Sequence, residues 1–160
     1  MVEPGSPLLA FSEHAAELVE RAAGSIVAVH GGGHQPLSGI HWRSGVIVTA
    51  EEALECDENI KLTLPAGRVA DASLAGRDPT TDVAVLRFQP DGLPVATTAD
   101  ASLRAGQVVM AVGNHDGGPL AALGTALAAA PSTASFVWTW HSVPLPKAVH
   151  SSTCKAVSSG

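Results

Sequence analysis

Tyrosine is absent from this chain, and three phenylalanines and three tryptophans supply all of its aromatic area. No aromatic platform for a sugar accompanies any pair of carboxylates. Cysteine is nearly absent too. Cys56 and Cys154 are too few for a disulfide framework or a tetrahedral metal cage, so two free thiols are expected. Basic charge is short, with nine Lys and Arg against fifteen Asp and Glu and a net charge of -6. That balance leaves no basic surface to recommend a nucleic-acid partner. No apolar run approaches the roughly 18–20 residues that cross a bilayer, so no membrane span is expected. The stretch Met1–Pro7 has neither a basic n-region nor a long apolar h-region. As written it is not a secretory signal, which implies a cytoplasmic setting.

What is present suits a globular domain. Of the 160 residues, 46% are hydrophobic, mainly Ala, Val and Leu, and 15% are charged. Leu8 to Ala23 has helical spacing, with Phe11, Ala15, Leu18, Val19 and Ala22 on one face. Ser12 is the candidate N-cap, and Gly24 closes the helix. Ser25–His30 reads as a strand. Gly31–Gly33 is a hairpin loop, since a phosphate cradle would need a following Lys-Ser/Thr and a helix. Ser38–Trp42 and Gly45–Thr49 read as a hairpin about Arg43–Gly45. Asn59–Leu64, Arg68–Ala75 and Asp82–Phe88 are further strands, the first two joined by the turn Pro65–Gly67. Short strands separated by Gly, Pro and Asp turns predict a small antiparallel barrel or sandwich. Leu93–Leu103 connects to another strand and turn, Gly106–Gly113. Leu120–Ala130 is rich in alanine, which favours helix by composition.

After Ala130 the character changes. Residues 131–160 contain no Asp or Glu, and their only charges are Lys147 and Lys155. Removing those two lysines from the nine basic residues leaves seven against fifteen acids in residues 1–130. The body therefore carries −8 and the tail +2. The tail also holds Trp138 and Trp140, and its Ser/Thr clusters have no clear period. An unstructured tail and translation in a shifted frame both fit this break.

Two segments carry the chemistry. One is Ser44-Gly45-Val46-Ile47-Val48-Thr49-Ala50-Glu51-Glu52-Ala53-Leu54. The other is Gly76-Arg77-Asp78-Pro79-Thr80-Thr81-Asp82-Val83-Ala84-Val85-Leu86. Together they resemble the first half of trypsin-like serine proteases of the HtrA/Deg type, over about residues 8–128. The first matches the turn that carries the general-base histidine, and the second the segment whose aspartate orients it. The resemblance therefore places Asp82 at the orienting aspartate and Glu52 at the catalytic histidine. It also makes 120–130 a strand, through the partial match Gly124–Leu127. The bland alternative is that Asp82 caps a turn in the turn-rich Asp-Pro-Thr-Thr-Asp sequence, but the whole Gly76–Leu86 block matches and favours the family position.

Glu52 does not substitute for an imidazole. A free carboxylate with a reference pKa near ~4.3 is a weak base toward a serine hydroxyl. It offers Asp82 no N–H, and the two could share a hydrogen bond only if one were protonated. His41, in a strand, and His115, in the expected Gly113–Gly118 turn, match no base position. His30 and His34 flank the glycine loop and give at most a weak metal signal. The family's G-[NDFY]-S-G-G nucleophile is absent. Ser151 and Ser152 lack the glycines, and Ser158-Ser159-Gly160 lacks downstream residues.

The resulting expectation is a mainly β, trypsin-like fold with an N-terminal helix, a first antiparallel barrel and a truncated second one. Its divisions are residues 1–24 with the helix, 25–105 for the first barrel, 106–130 for the start of the second, and 131–160 for the tail. The expected function is a degenerate protease homologue without peptidase activity. One alternative is a serine endopeptidase of the HtrA/Deg family with a truncated or misread C-terminus. The other is a pseudoprotease that binds polypeptide segments or a full-length paralogue. No cofactor or metal is expected. The family is often periplasmic or secreted, which contrasts with the leaderless start as written.

Overall fold

A computed structural model describes residues 6–33, 35–90, 92–98, 102–115 and 118–127. The chain begins with helix α1 (Pro7–Ala23) and continues into six strands: β1 (Ile26–His30), β2 (Leu37–Arg43), β3 (Val46–Thr49), β4 (Ile60–Thr63), β5 (Val69–Asp78) and β6 (Val83–Phe88). These close into an antiparallel barrel in the order β1-β2-β3-β6-β5-β4. A hairpin of β7 (Val108–His115) and β8 (Gly118–Thr125) forms a separate two-stranded sheet. Among the described residues no helix is long and apolar enough to cross a membrane.

Closure follows from alternation. Inward positions of the strands hold Val27, Val29, Ile47, Ile60, Leu62 and Leu86, all fully buried. Successive strand residues face opposite sides, so each strand contributes every second side chain to this core. β2 crosses the barrel where space is tight. A Cβ on Gly39 would lie 2.6 Å from Ile47 Cγ2 and 2.7 Å from Val29 Cγ2. Only glycine lets the β2 backbone come this close to two β-branched side chains. Closure also removes the free edges that an open sheet of this size would expose.

The barrel strands fall where the sequence reading placed them, within a residue or two for most ends, and β5 runs on through Asp78. Several local expectations change. Ser12 lies inside α1 and is not its cap. The N-cap is Ser6, whose carbonyl accepts from the Leu9 and Ala10 amides, and Pro7 occupies the first turn. Proline suits that turn because its missing N–H would have no intrahelical partner there. Gly24 ends α1 in the right-handed region (φ −59°), and the Ser25 amide and hydroxyl both donate to the Ala22 carbonyl. No residue of α1 is fully buried. Of its apolar face, Ala15, Val19 and Ala22 are half-buried while Phe11 and Leu18 are exposed.

β7 runs through Gly113 to His115, so Gly113 is strand and not turn, and His115 is the last residue of β7. The segment from Leu120 is a strand through Thr125, despite its alanine content. Pairing with β7 over eight residues outweighs the weak helical preference of alanine. Residues 128–130 of the predicted segment, and the whole 131–160 tail, lie outside the described residues. Cys56 is disulfide-bonded and not a free thiol. A count of two cysteines argues against a framework but not against a single bridge. Cys154 lies outside the described residues.

Asn114 ties the hairpin to the barrel. Its backbone N–H donates to Ser38 Oγ at 2.9 Å, Ser38 Oγ–H donates to its carbonyl at 3.3 Å, and its side-chain amide reaches the Ile26 carbonyl at 3.4 Å. Asn114 is only 4% exposed, so these bonds satisfy polar groups that water does not reach.

Candidate active site

Two turns meet at the mouth of the barrel. The first follows β3, which ends at Thr49, whose hydroxyl donates to the Ser38 carbonyl at 3.0 Å. The chain then turns through Glu51, Glu52 and Ala53, closed by the Leu54 amide donating to the Glu51 carbonyl at 3.0 Å. Leu54 drops into the core. A Cβ on Gly31 would stand 2.1 Å from Leu54 Cδ1, and the Gly31 carbonyl accepts the Cys56 amide at 2.8 Å. The glycine loop therefore seats the far end of this turn.

The second turn joins β5 to β6. Asp78 organises it: Oδ1 accepts the Thr80 amide at 3.0 Å and Oδ2 accepts the Thr81 hydroxyl at 2.7 Å. These bonds hold its carboxyl below the usual carboxylate range, the Thr81 hydroxyl contributing most. Asp82 follows with φ +53°. An aspartate tolerates this left-handed conformation better than most side chains.

The turns are joined by Asp82. Its Oδ1 accepts the backbone N–H of Glu52 at 2.8 Å, and its carbonyl accepts the Glu51 amide at 3.4 Å. The sequence reading of Asp82 as the cap of its own turn assigns the wrong residue: Asp78 caps that turn. Arg77 fastens the assembly from β5. One guanidinium nitrogen donates to Glu51 Oε1 at 3.0 Å and to the Leu54 carbonyl at 2.9 Å, and the other pairs with Asp57. The Glu51 bond, then Asp57, raises the guanidinium pKa further against the opposing effect of burial. Its Nε is buried without a hydrogen-bond partner among the described residues.

The chemistry this arrangement offers is limited. The Glu52 side chain is exposed. No hydrogen bond joins the Glu52 and Asp82 carboxylates; the Asp82 carboxylate is bonded to backbone instead. His14 bonds the Ala10 carbonyl, His30 bonds Thr63 Oγ1, and His41 bonds the Pro94 carbonyl at 2.9 Å. His41 is a buried wall of the barrel, 1% exposed and edge-on to Phe88 at 5.2 Å. The described residues hold no group of three or more His, Cys, Asp and Glu that could bind a metal ion. His34, Ser151, Ser152, Ser158 and Ser159 lie outside the described residues. Sequence reasoning missed Arg77, Asp78 and Gly31 as parts of the frame. The Asp-Pro-Thr-Thr spacing does carry an Asx-turn signal for Asp78, whereas nothing in sequence singles out Arg77.

The sequence profile of the trypsin-like peptidase domain matches residues 37–160, and the chain belongs to that family. Its relatives are of the HtrA/Deg type. A probable periplasmic serine endoprotease DegP-like of Halomonas elongata is 40% identical over 74 residues, covering 46% of this chain and 16% of the relative. The periplasmic serine endoprotease DegP of Escherichia coli is 34% identical over 96 residues, covering 54% of this chain and 20% of the relative. A crystal structure of the serine endoprotease from Yersinia pestis superposes with a TM-score of 0.65 at 28% identity. That superposition covers 79% of this chain and 46% of the other. The chain thus matches only about a fifth of these curated relatives' length.

Proposed function

We propose that this chain is a trypsin-like protein of the HtrA/Deg type without peptidase activity of its own. The observation that carries the reading is the Glu52 N–H to Asp82 Oδ1 bond. It joins the two turns that the family resemblance assigns to base and orienter, while the side chain at the base position is a carboxylate. Serine-protease chemistry needs a neutral imidazole that takes the hydroxyl proton and returns it to the leaving amine. A solvated carboxylate has too little affinity for that proton, and Asp82 is left with backbone to hold. We take residues 25–105 as the first barrel and 106–130 as the opening of a second.

A second reading, a binding pseudoprotease, is favoured by one observation. The frame of the site is intact, with Arg77, Asp78 and Asp82 all bonded in place. A scaffold of this order could hold a polypeptide segment or a full-length paralogue without cutting it. Purified chain incubated with casein and a fluorogenic peptide tests both readings. The proposal expects no cleavage. Binding of an unfolded polypeptide without cleavage supports the second reading, and hydrolysis rules out both.

A further inference from the structure

His41, away from the candidate site, binds other parts of the chain through both its backbone and its ring. Its backbone N–H donates to the Ser25 carbonyl at 2.8 Å, and its own carbonyl accepts the Ala96 amide at 2.8 Å. Ring Nδ1 donates to the Pro94 carbonyl at 2.9 Å. The segment held in this way, 93–96, follows β6. Leu93 anchors its start in the barrel core. Pro94 and Val95 are exposed, so the two bonds to His41 hold the segment where apolar burial no longer does.

A carbonyl only accepts, so the bond to Pro94 fixes the proton of the neutral ring on Nδ1. A second proton then goes to Nε2, which is buried. Around the ring lie Ile47, opposite on β3, Phe88, edge-on from β6, and the Pro94 carbonyl. Besides His41, the titratable groups on β1, β2, β3, β6, β7 and residues 92–98 are His30, Arg43, Arg87 and His115. His30 is bonded to Thr63, and the other three are exposed. These elements are all basic or neutral, and none brings a carboxylate to offset a charged imidazole. Burying an uncompensated charge is strongly unfavourable. We propose that His41 is an acid-sensitive latch: the neutral ring holds 93–96 on β2, and a proton on Nε2 releases the segment so that the ring reaches water.

The neutral ring belongs to the closed latch, so closure is complete at higher pH and is lost as pH falls. A ring freed into water takes the ordinary histidine value near ~6.5, so one unit below it the charged form outweighs the neutral about tenfold. Opening should therefore rise about tenfold between roughly pH 7.5 and 5.5. Release stays local, because Asn114 ties the β7–β8 hairpin to Ser38 and Ile26 through separate bonds. The latch works in the same way whether or not the chain cleaves peptides.

Hydrogen exchange at the Ala96 amide of the full chain tests this, with rates corrected for the intrinsic pH dependence of exchange. The parent should open about tenfold more often at roughly pH 5.5 than at 7.5. His41→Asn keeps a donor near the position of Nδ1 and does not titrate, so its Ala96 amide should be equally protected at both. Ring-nitrogen NMR of the parent at the higher pH should find the proton on Nδ1. Equal opening of the parent at the two pH values overturns the proposal, as does the same rise in His41→Asn. A ring proton on Nε2 at the higher pH overturns it without any variant.

Discussion

The backbone N–H of Glu52 donates to Oδ1 of Asp82 at 2.8 Å across thirty residues of sequence. Asp82 is therefore a brace between turns, and it holds that place with φ +53°. Asp82→Asn keeps an acceptor and a side chain tolerated in that conformation. Asp82→Ala loses both, and the cost expected is about 1 kcal/mol for the bond plus a similar strain. Urea denaturation of the two variants should separate them, with the asparagine close to the parent.

Asp78 makes stability depend on acidity. Its carboxyl is held below its ordinary value of 3.8, first by the Thr81 hydroxyl and then by the Thr80 amide. A depressed folded-state pKa contributes stability that is present above the unfolded value and lost as pH falls through the folded one. Asp78→Asn should therefore remove part of the acid limb of the stability curve below about pH 4. An NMR titration of the side-chain carboxyl should find Asp78 titrating below the ordinary aspartate value.

Asn114 couples barrel and hairpin, so its replacement should act on one part of the molecule. Asn114→Ala leaves the Ile26 carbonyl without its amide partner at a buried position. The expected cost is about 1–3 kcal/mol. Amide exchange should show β7 and β8 opening more readily while β1–β6 keep their protection. Uniform loss across all eight strands would assign Asn114 to the global core instead.

Much of this was legible in the chain. Period-two patterning in Ile60–Leu62 and the short unbroken apolar run Ile26–Val29, with glycine and proline turns between, mark barrel strands: β4 buries alternate side chains, and β1 is buried on both faces. The Gly45–Leu54 and Gly76–Leu86 segments put Glu52 and Asp82 in neighbouring turns. What the sequence hid are relationships between distant backbone groups. Arg77 reads as a surface cation until its bonds to Glu51 and Leu54 are seen. Gly31 reads as loop filler until Leu54 is found against it. Alanine-rich β8 reads as helix by composition alone, because its strand pairing comes from β7; the partial match at Gly124–Leu127 is what points to a strand there.

The claim that rests on all of this is the lack of peptidase activity. Active-site labelling with a fluorophosphonate, on the parent chain and on Glu52→His, tests it most directly. The variant returns an imidazole to Asp82's reach but supplies no nucleophile, so neither protein should label, and neither should hydrolyse a fluorogenic peptide above buffer. Covalent labelling of a serine in either protein would contradict the account.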